Sequence, residues 1–95
     1  MAHQLQSSRA ILRRTQVEAE SGYSRSTIYL RISQGLWTKP VSLGARAVGW
    51  PSGDVLALNA ARIAGKTDEQ IRALVLKLEA NRLMADAGTA ASALE

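Results

Sequence analysis

The side chains best suited to chemistry in this sequence form one cluster of hydroxyls and cations in a short segment. The cluster consists of Ser24, Arg25, Ser26, Thr27, Tyr29 and Arg31. A guanidinium can donate hydrogen bonds to base edges or to phosphate, and short hydroxyls near a helix start can donate to phosphate, where the helix dipole helps. The pattern therefore favours recognition of a nucleic acid. The alternatives are helix capping and solvation for the serines and Thr27, and packing against the preceding helix for Tyr29.

Two further cations, Lys39 and Arg46, lie next to a predicted β-hairpin. Residues 41–43 and 47–50 are apolar enough to form two short strands, and the turn at residues 44–46 contains a glycine. A basic residue at such a turn can reach a DNA backbone or minor groove beside a recognition helix. The alternative for Arg46 is a surface arginine that binds nothing.

Composition argues against other kinds of chemistry. The chain has no cysteine and one histidine, His3, so it lacks a thiol nucleophile, a thiolate metal site and the usual general base. Glu18, Glu20 and Asp54 lie in or beside predicted helix starts, where capping explains them. We therefore expect no catalytic residues, no metal site and no cofactor, and we do not expect an enzyme.

Length and hydropathy narrow the class of protein further. The 95 residues, 46% hydrophobic and 21% charged, are sufficient for one small globular domain. No apolar run approaches the roughly 20 residues that span a bilayer, and no secretory leader is visible. We expect a cytoplasmic binding module without a membrane partner.

The positive charge is concentrated in the first half of the chain. Residues 1–50 contain seven basic and two acidic side chains, a net charge of +5, whereas residues 51–95 have a net charge of −1. This asymmetry indicates that the first half is attracted to polyanions. The alternative is that the excess charge only keeps a small protein soluble.

Two predicted helices joined by a tight turn position the cluster. Thr15 and Glu18 have the spacing of a capping box, which predicts a helix beginning at Thr15 that Gly22 then ends. Ser24 is predicted to cap a second helix that ends at Gly35. Two helices around a glycine-containing turn are the helix-turn-helix arrangement.

The second helix is predicted to bury one face and expose the other. At about 100° per residue, Ile28 and Ile32 share the buried stripe. The opposite face holds Ser26, Leu30 and Ser33, with Thr27 and Tyr29 on the flanks. This exposed face would be free to meet base edges.

Capping signals predict two more helices. Ser52 is predicted to cap a third helix, which Gly65 ends. Thr67 and Gln70 have the spacing of a second capping box, which opens a long helix to about Ala87. One apolar face of that helix holds Ile71, Leu74, Val75 and Leu78, and the other holds Leu76, Ala80, Leu83 and Ala87. The first face is expected to pack on the domain, and the second is either a seam for a partner or scattered surface residues.

These signals divide the chain into one domain, a helical extension and two tails. Residues 10–12 are predicted to form a strand or an extended entry segment, and Trp37 and Trp50 are expected in the core rather than stacked on a ligand. The division is residues 1–8 as a flexible N-terminus, 9–65 as a winged helix-turn-helix DNA-binding domain, 66–87 as a C-terminal helix extension and 88–95 as a disordered tail.

The motifs resemble a known family. The residues on which the resemblance depends are the run Ser24-Arg25-Ser26-Thr27-Ile28-Tyr29, then Gly35, then Lys39-Pro40-Val41-Ser42-Leu43-Gly44-Ala45-Arg46-Ala47-Val48-Gly49-Trp50. Over about residues 9–65 the chain resembles the AlpA-like phage regulators, winged-helix proteins related to excisionases and to MerR-type DNA-binding domains. The resemblance implies a mostly α fold with a small β-hairpin wing, a winged helix-turn-helix, followed here by a C-terminal helix.

The resemblance also implies a function. It implies site-specific binding of double-stranded DNA, with control of integrase transcription or a role as an excisionase-like recombination directionality factor. A phage integrase or self-association on DNA are the further partners implied, and a small-molecule substrate is not. The residues it places on the recognition helix are Ser24, Arg25, Ser26, Thr27 and Tyr29, and it places Arg46 on the wing.

The sequence departs from the family pattern at two positions. Leu30 precedes Arg31 where the family has a basic residue and then an apolar one, which turns a leucine outward. Thr38 replaces a common proline. Leu30 and the C-terminal helix also leave open another function, a protein-interaction adaptor or anti-repressor.

Overall fold

The fold is a winged helix-turn-helix followed by a C-terminal helix, as the sequence predicted. A computed structural model describes the backbone of residues 10–94 and the side chains of residues 10–83. The elements are β1 (Ile11–Arg13), α1 (Arg14–Ser21), α2 (Arg25–Ser33), β2 (Val41–Gly44), β3 (Ala47–Pro51), α3 (Ser52–Ile63) and α4 (Asp68–Leu94). The predicted flexible segment, residues 1–8, lies outside the described residues.

Three short antiparallel strands form the sheet, with β3 between β1 and β2. The segment predicted as a strand or an extended entry is a strand, in which Leu12 pairs with Trp50 and Arg13 pairs with Gly49. A Cβ at Gly49 would lie 2.5 Å from Ile11 Cγ2 and 3.0 Å from the Leu12 carbonyl oxygen. The absent side chain therefore lets β1, with an arginine at its end, lie tightly against the hairpin.

The start of α1 differs from the prediction. Thr15 does not cap this helix: α1 begins at Arg14, directly after β1, and the Arg13 amide donates to Gln16 Oε1 at 2.8 Å. Because the strand runs straight into the helix, Thr15 already lies inside the first turn, and Glu18 pairs with Arg14 instead. The end of α1 is as predicted, since Gly22 has the left-handed conformation with φ 78°.

The capping prediction is confirmed for α2 and wrong by one residue for α3. Ser24 Oγ accepts the Thr27 amide at 3.2 Å and caps α2. Ser52 was predicted to cap α3 but belongs to the helix itself, with Pro51 before it in an extended conformation. The Ser52 amide donates to the Ala10 carbonyl at 2.7 Å, which fixes the helix start against β1.

The long helix α4 begins as predicted and ends later. Thr67 and Gln70 form both hydrogen bonds of the capping box, at 2.9 and 3.1 Å. The helix continues to Leu94 rather than ending near Ala87, so its backbone includes most of the segment predicted as a disordered tail. The tail is rich in alanine, the strongest helix former, and Gly88 alone does not stop the helix.

The core joins the helix-turn-helix, the sheet and α4. Trp37 and Trp50 are buried there, as predicted, and the Trp50 indole donates to the Thr38 carbonyl at 2.9 Å. Ile71 and Val75 of α4 belong to the same buried cluster, and Leu74 and Leu78 pack against it. The first apolar face of α4 is therefore part of the domain core.

Candidate nucleic-acid interface

The exposed face of α2 has the composition predicted from its periodicity. Ile28 is completely buried and Ile32 is partly buried, whereas Ser26, Leu30 and Ser33 are exposed. A helix that is anchored on one side and polar or open on the other can enter a DNA major groove without losing its own packing.

A groove between α2 and the hairpin collects four arginines. Its lining residues are Arg13, Arg14, Thr15, Arg25, Tyr29, Arg46 and Val48. Arg14 is paired with Glu18 one turn later. Within the described side chains, the other three arginines form no ion pair, so their charges sum to a positive potential over the groove. Such a groove is suited to a phosphate backbone.

Arg46 lies in the turn between β2 and β3, at the tip of the wing. Its backbone is left-handed, with φ 62°. A residue with a Cβ rarely adopts this conformation, and glycine would adopt it with less strain. Arg46 thus lines the groove although its backbone conformation does not favour arginine. Strained backbone is found most often at functional sites, so the strain as well as the charge makes Arg46 a candidate contact.

Tyr29 connects the groove to the core. Its ring meets the Trp50 ring edge-on, with centroids 6.3 Å apart, and 39% of the residue remains exposed. The aromatic packing partner found for it is therefore Trp50 of β3 rather than a residue of the first helix. The Tyr29 ring lines the groove, and its contact with the buried Trp50 holds it in position.

Ser24 and Thr27 use their hydroxyls in the cap of α2. Ser24 Oγ accepts the Thr27 amide and donates its proton to Thr27 Oγ1 at 3.0 Å. That proton is therefore already engaged, whereas Thr27 accepts through its oxygen and retains its own proton as a donor. Ser24 has a structural role, and Thr27 remains able to donate to a ligand.

Arg31 and Lys39 lie away from the groove. Arg31 sits over the Tyr23 ring, with its guanidinium carbon 5.5 Å from the centroid. The Lys39 amide donates to Glu79 Oε2 at 2.9 Å, and this residue borders a hollow against α4. The structure thus brings Arg25, Tyr29 and Arg46 together and leaves Arg31 and Lys39 outside the groove lining.

Arg13, Arg14 and Thr15 were missed as site residues. Their position depends on the pairing of β1 with β3, which places the end of β1 beside the wing. The available signal was the two adjacent arginines directly after an apolar strand candidate. With the helix start predicted at Thr15, nothing in the local pattern located them next to the hairpin.

The described residues contain no helix that is both long enough and apolar enough to cross a membrane.

The fold and the arginine groove together define a winged helix-turn-helix protein with a cationic face. A family model described as Prophage CP4-57 regulatory protein (AlpA) matches residues 10–57, about half of the chain. The chain belongs to this family of phage regulatory proteins, which are regulators rather than enzymes, and the resemblance found in the sequence is confirmed.

A relative supports the same assignment. An uncharacterized protein of Enterobacteria phage P4, ORF88, is 49% identical over 45 residues, which are 47% of this chain and 51% of the relative. The chain thus spans about half the length of this relative. No solved structure matches the chain.

Proposed function

We propose that this chain is a phage or prophage regulator that binds double-stranded DNA at specific sites. In this role it controls integrase transcription or acts as an excisionase-like recombination directionality factor. The observation that carries the proposal is the convergence of Arg13 of β1, Arg25 of α2 and Arg46 of the β2–β3 turn on one groove beside the exposed face of α2. Membership of a phage regulatory family supports it.

The exposed face of α2 and the arginines beside it have different roles in DNA binding. The exposed face of α2 enters the major groove, where Arg25 and Ser26 meet base edges. Arg13 and Arg46 contact the phosphates beside it, with Thr27 as a hydroxyl donor, and these contacts fix the register. Arg31 and Lys39, which lie outside the groove, contact the backbone only at the margins of the bound duplex.

Salt dependence tests this arrangement. Neutralising about four phosphates would give a slope of log K against log salt of about −4. The measurement is fluorescence anisotropy of a labelled duplex at several salt concentrations, with wild type and Arg13→Gln. The matched control is Lys77→Gln, because Lys77 is an exposed cation on α4, outside the groove.

We expect Arg13→Gln to bind more weakly and to reduce the slope by about one, and Lys77→Gln to leave it nearly unchanged. A salt-insensitive complex, or equal slopes for all three proteins, would contradict the proposal.

A protein-interaction adaptor or anti-repressor is the second candidate function. Leu76 and Leu83, on the second face of α4, are 70% and 79% exposed, and Ala80 between them is also exposed; the Ala87 side chain lies outside the described ones. Removing α4 would not test this function, because Ile71 and Val75 belong to the core.

A surface variant separates the two candidates. Leu76→Ser combined with Leu83→Ser should preserve the fold, since both side chains are exposed. If the chain binds DNA through α2 and the wing, this variant should retain its affinity for the duplex. If it binds DNA normally but no longer regulates or excises the prophage in cells, then α4 contributes a protein contact.

A further inference from the structure

Leu30 stands at the centre of the exposed face of α2, where it is surrounded by small polar side chains. It is 55% exposed, whereas Ile28 on the opposite side of the helix is completely buried. At about 100° per residue, Ser26 lies about 40° and Ser33 about 60° from Leu30 around the helix axis. Leu30 is therefore the side chain that projects farthest from this part of the helix.

Of the two serines next to Leu30, Ser33 already has its hydroxyl engaged. Ser33 Oγ donates its proton to the Leu30 carbonyl at 2.6 Å. A hydroxyl has one proton, so Ser33 can still accept but can no longer donate to a base. Around Leu30, the surface offered to a partner is thus dominated by an aliphatic group.

Cations lie on both sides of this aliphatic group. Arg25 faces the groove shared with the wing, and Arg31 lies on the other flank, over Tyr23. If Arg13 and Arg46 meet phosphates on the groove side and Arg31 meets one on the other flank, as the proposed function requires, then the helix face between them meets base edges. Leu30 lies on that face.

We propose that Leu30 is a specificity-determining residue that reads the C5-methyl group of a thymine; this inference rests on the proposed function. Leucine has neither donor nor acceptor, so it cannot read the hydrogen-bonding edge of any base. Thymine alone among the four DNA bases presents a methyl group in the major groove. Contact between the two removes apolar surface from water, which for one methyl-sized group changes affinity about fourfold.

The test removes the methyl group from the DNA and the side chain from the protein. Selection from a random duplex library with wild-type protein gives the preferred site. Each thymine of that site is then replaced, one at a time, by deoxyuridine, which pairs identically but lacks the methyl group. Affinities are measured by fluorescence anisotropy for wild type and Leu30→Ala, with Leu83→Ala as the matched control for an exposed leucine outside the site.

We expect one or two thymines at which wild type and Leu83→Ala lose affinity about three- to fivefold on replacement. At those thymines Leu30→Ala should bind both duplexes equally, with the affinity that wild type has for the deoxyuridine site. Thermal melting curves that coincide for wild type and Leu30→Ala establish that the fold is intact.

Three results would overturn the inference while the proposed function stands. The first is an equal loss for wild type and Leu30→Ala at every thymine, and the second is the absence of any sensitive thymine. The third is an affinity of Leu30→Ala equal to that of wild type for all duplexes, which would show that Leu30 does not contact the DNA. The proposed function fails separately. Wild type would then bind no duplex or would select no preferred site from the library, and the inference about Leu30 would fail with it.

Discussion

Arg82 of α4 donates a hydrogen bond to Asp54 Oδ2, in the first turn of α3, at 2.6 Å. The same guanidinium nitrogen donates to the Lys39 carbonyl at 2.7 Å, and the Lys39 amide donates back to Glu79 of α4. Arg82 therefore ties three parts of the domain together: α4, α3 and the loop that leads into the wing. The C-terminal helix thus holds the start of α3 and the loop before the wing in place.

Arg82→Ala is expected to destabilise the fold because it leaves the buried Asp54 carboxylate without its partner. Breaking a fully buried pair costs about 3–5 kcal/mol; the Arg82 side chain is 22% exposed, so we expect about 2–3 kcal/mol. Urea denaturation measures the change in the free energy of unfolding. In the Asp54→Asn background the same substitution should cost less, and an equal cost in both backgrounds would show that the pair is not the cause.

Arg46→Gly is expected to separate stability from DNA binding. Glycine adopts the left-handed φ of position 46 without strain, so the free energy of unfolding should rise or stay level, within about 1 kcal/mol. Affinity for DNA should fall, with the salt slope smaller by about one. Thermal melting and anisotropy measure the two effects. Arg46→Lys, which keeps the charge, is the control, and a glycine variant that binds DNA like wild type would remove Arg46 from the site.

Gly49→Ala is expected to destabilise the sheet. The added Cβ would lie 2.5 Å from Ile11 Cγ2 and 3.0 Å from the Leu12 carbonyl oxygen, and such overpacking costs about 1–3 kcal/mol. The Ile11→Ala background should recover part of that cost, because it removes the nearest contact and leaves those with the Leu12 carbonyl and with Leu43 Cδ1, each at 3.0 Å. Chemical denaturation of the four proteins of this cycle checks the prediction. Purely additive effects would mean that the side chains do not collide.

Arg25→Ala is expected to weaken discrimination between DNA sites by about 1–3 kcal/mol if the guanidinium reads a base. Competition assays with the preferred duplex and single-base variants measure this. Arg31→Ala is the comparison, because Arg31 packs over Tyr23 and lies outside the groove. An equal loss of affinity on every sequence would instead make Arg25 a phosphate contact.

Much of the fold was predictable from local signals, because each depends on neighbours in the chain. The cap at Ser24, the turn at Gly22 and the capping box at Thr67 are such signals, and the structure confirms all three. The burial of Ile28 and the exposure of Leu30 followed from helical periodicity alone.

What the sequence did not predict depends on contacts between distant segments. Because β1 pairs with β3, α1 begins at Arg14 rather than at the predicted Thr15, and Arg13 lies beside the wing. Lys39 was predicted as a DNA contact of the wing because it precedes the hairpin, and this stays a prediction. The sequence did not predict that Glu79 and Arg82, forty and more residues later, hold its backbone, because no local pattern reveals such a contact.

An NMR titration with DNA shows residue by residue which surface of the protein contacts the duplex. Isotope-labelled protein is mixed with a short duplex of mixed sequence at low and at moderate salt, and amide shifts are followed. If the proposed DNA-binding function is right, shifts concentrate in α2, at residues 13–15 and in the β2–β3 turn, and they fade as salt rises. Shifts that are absent from these segments at low salt, or confined to α4, would contradict it.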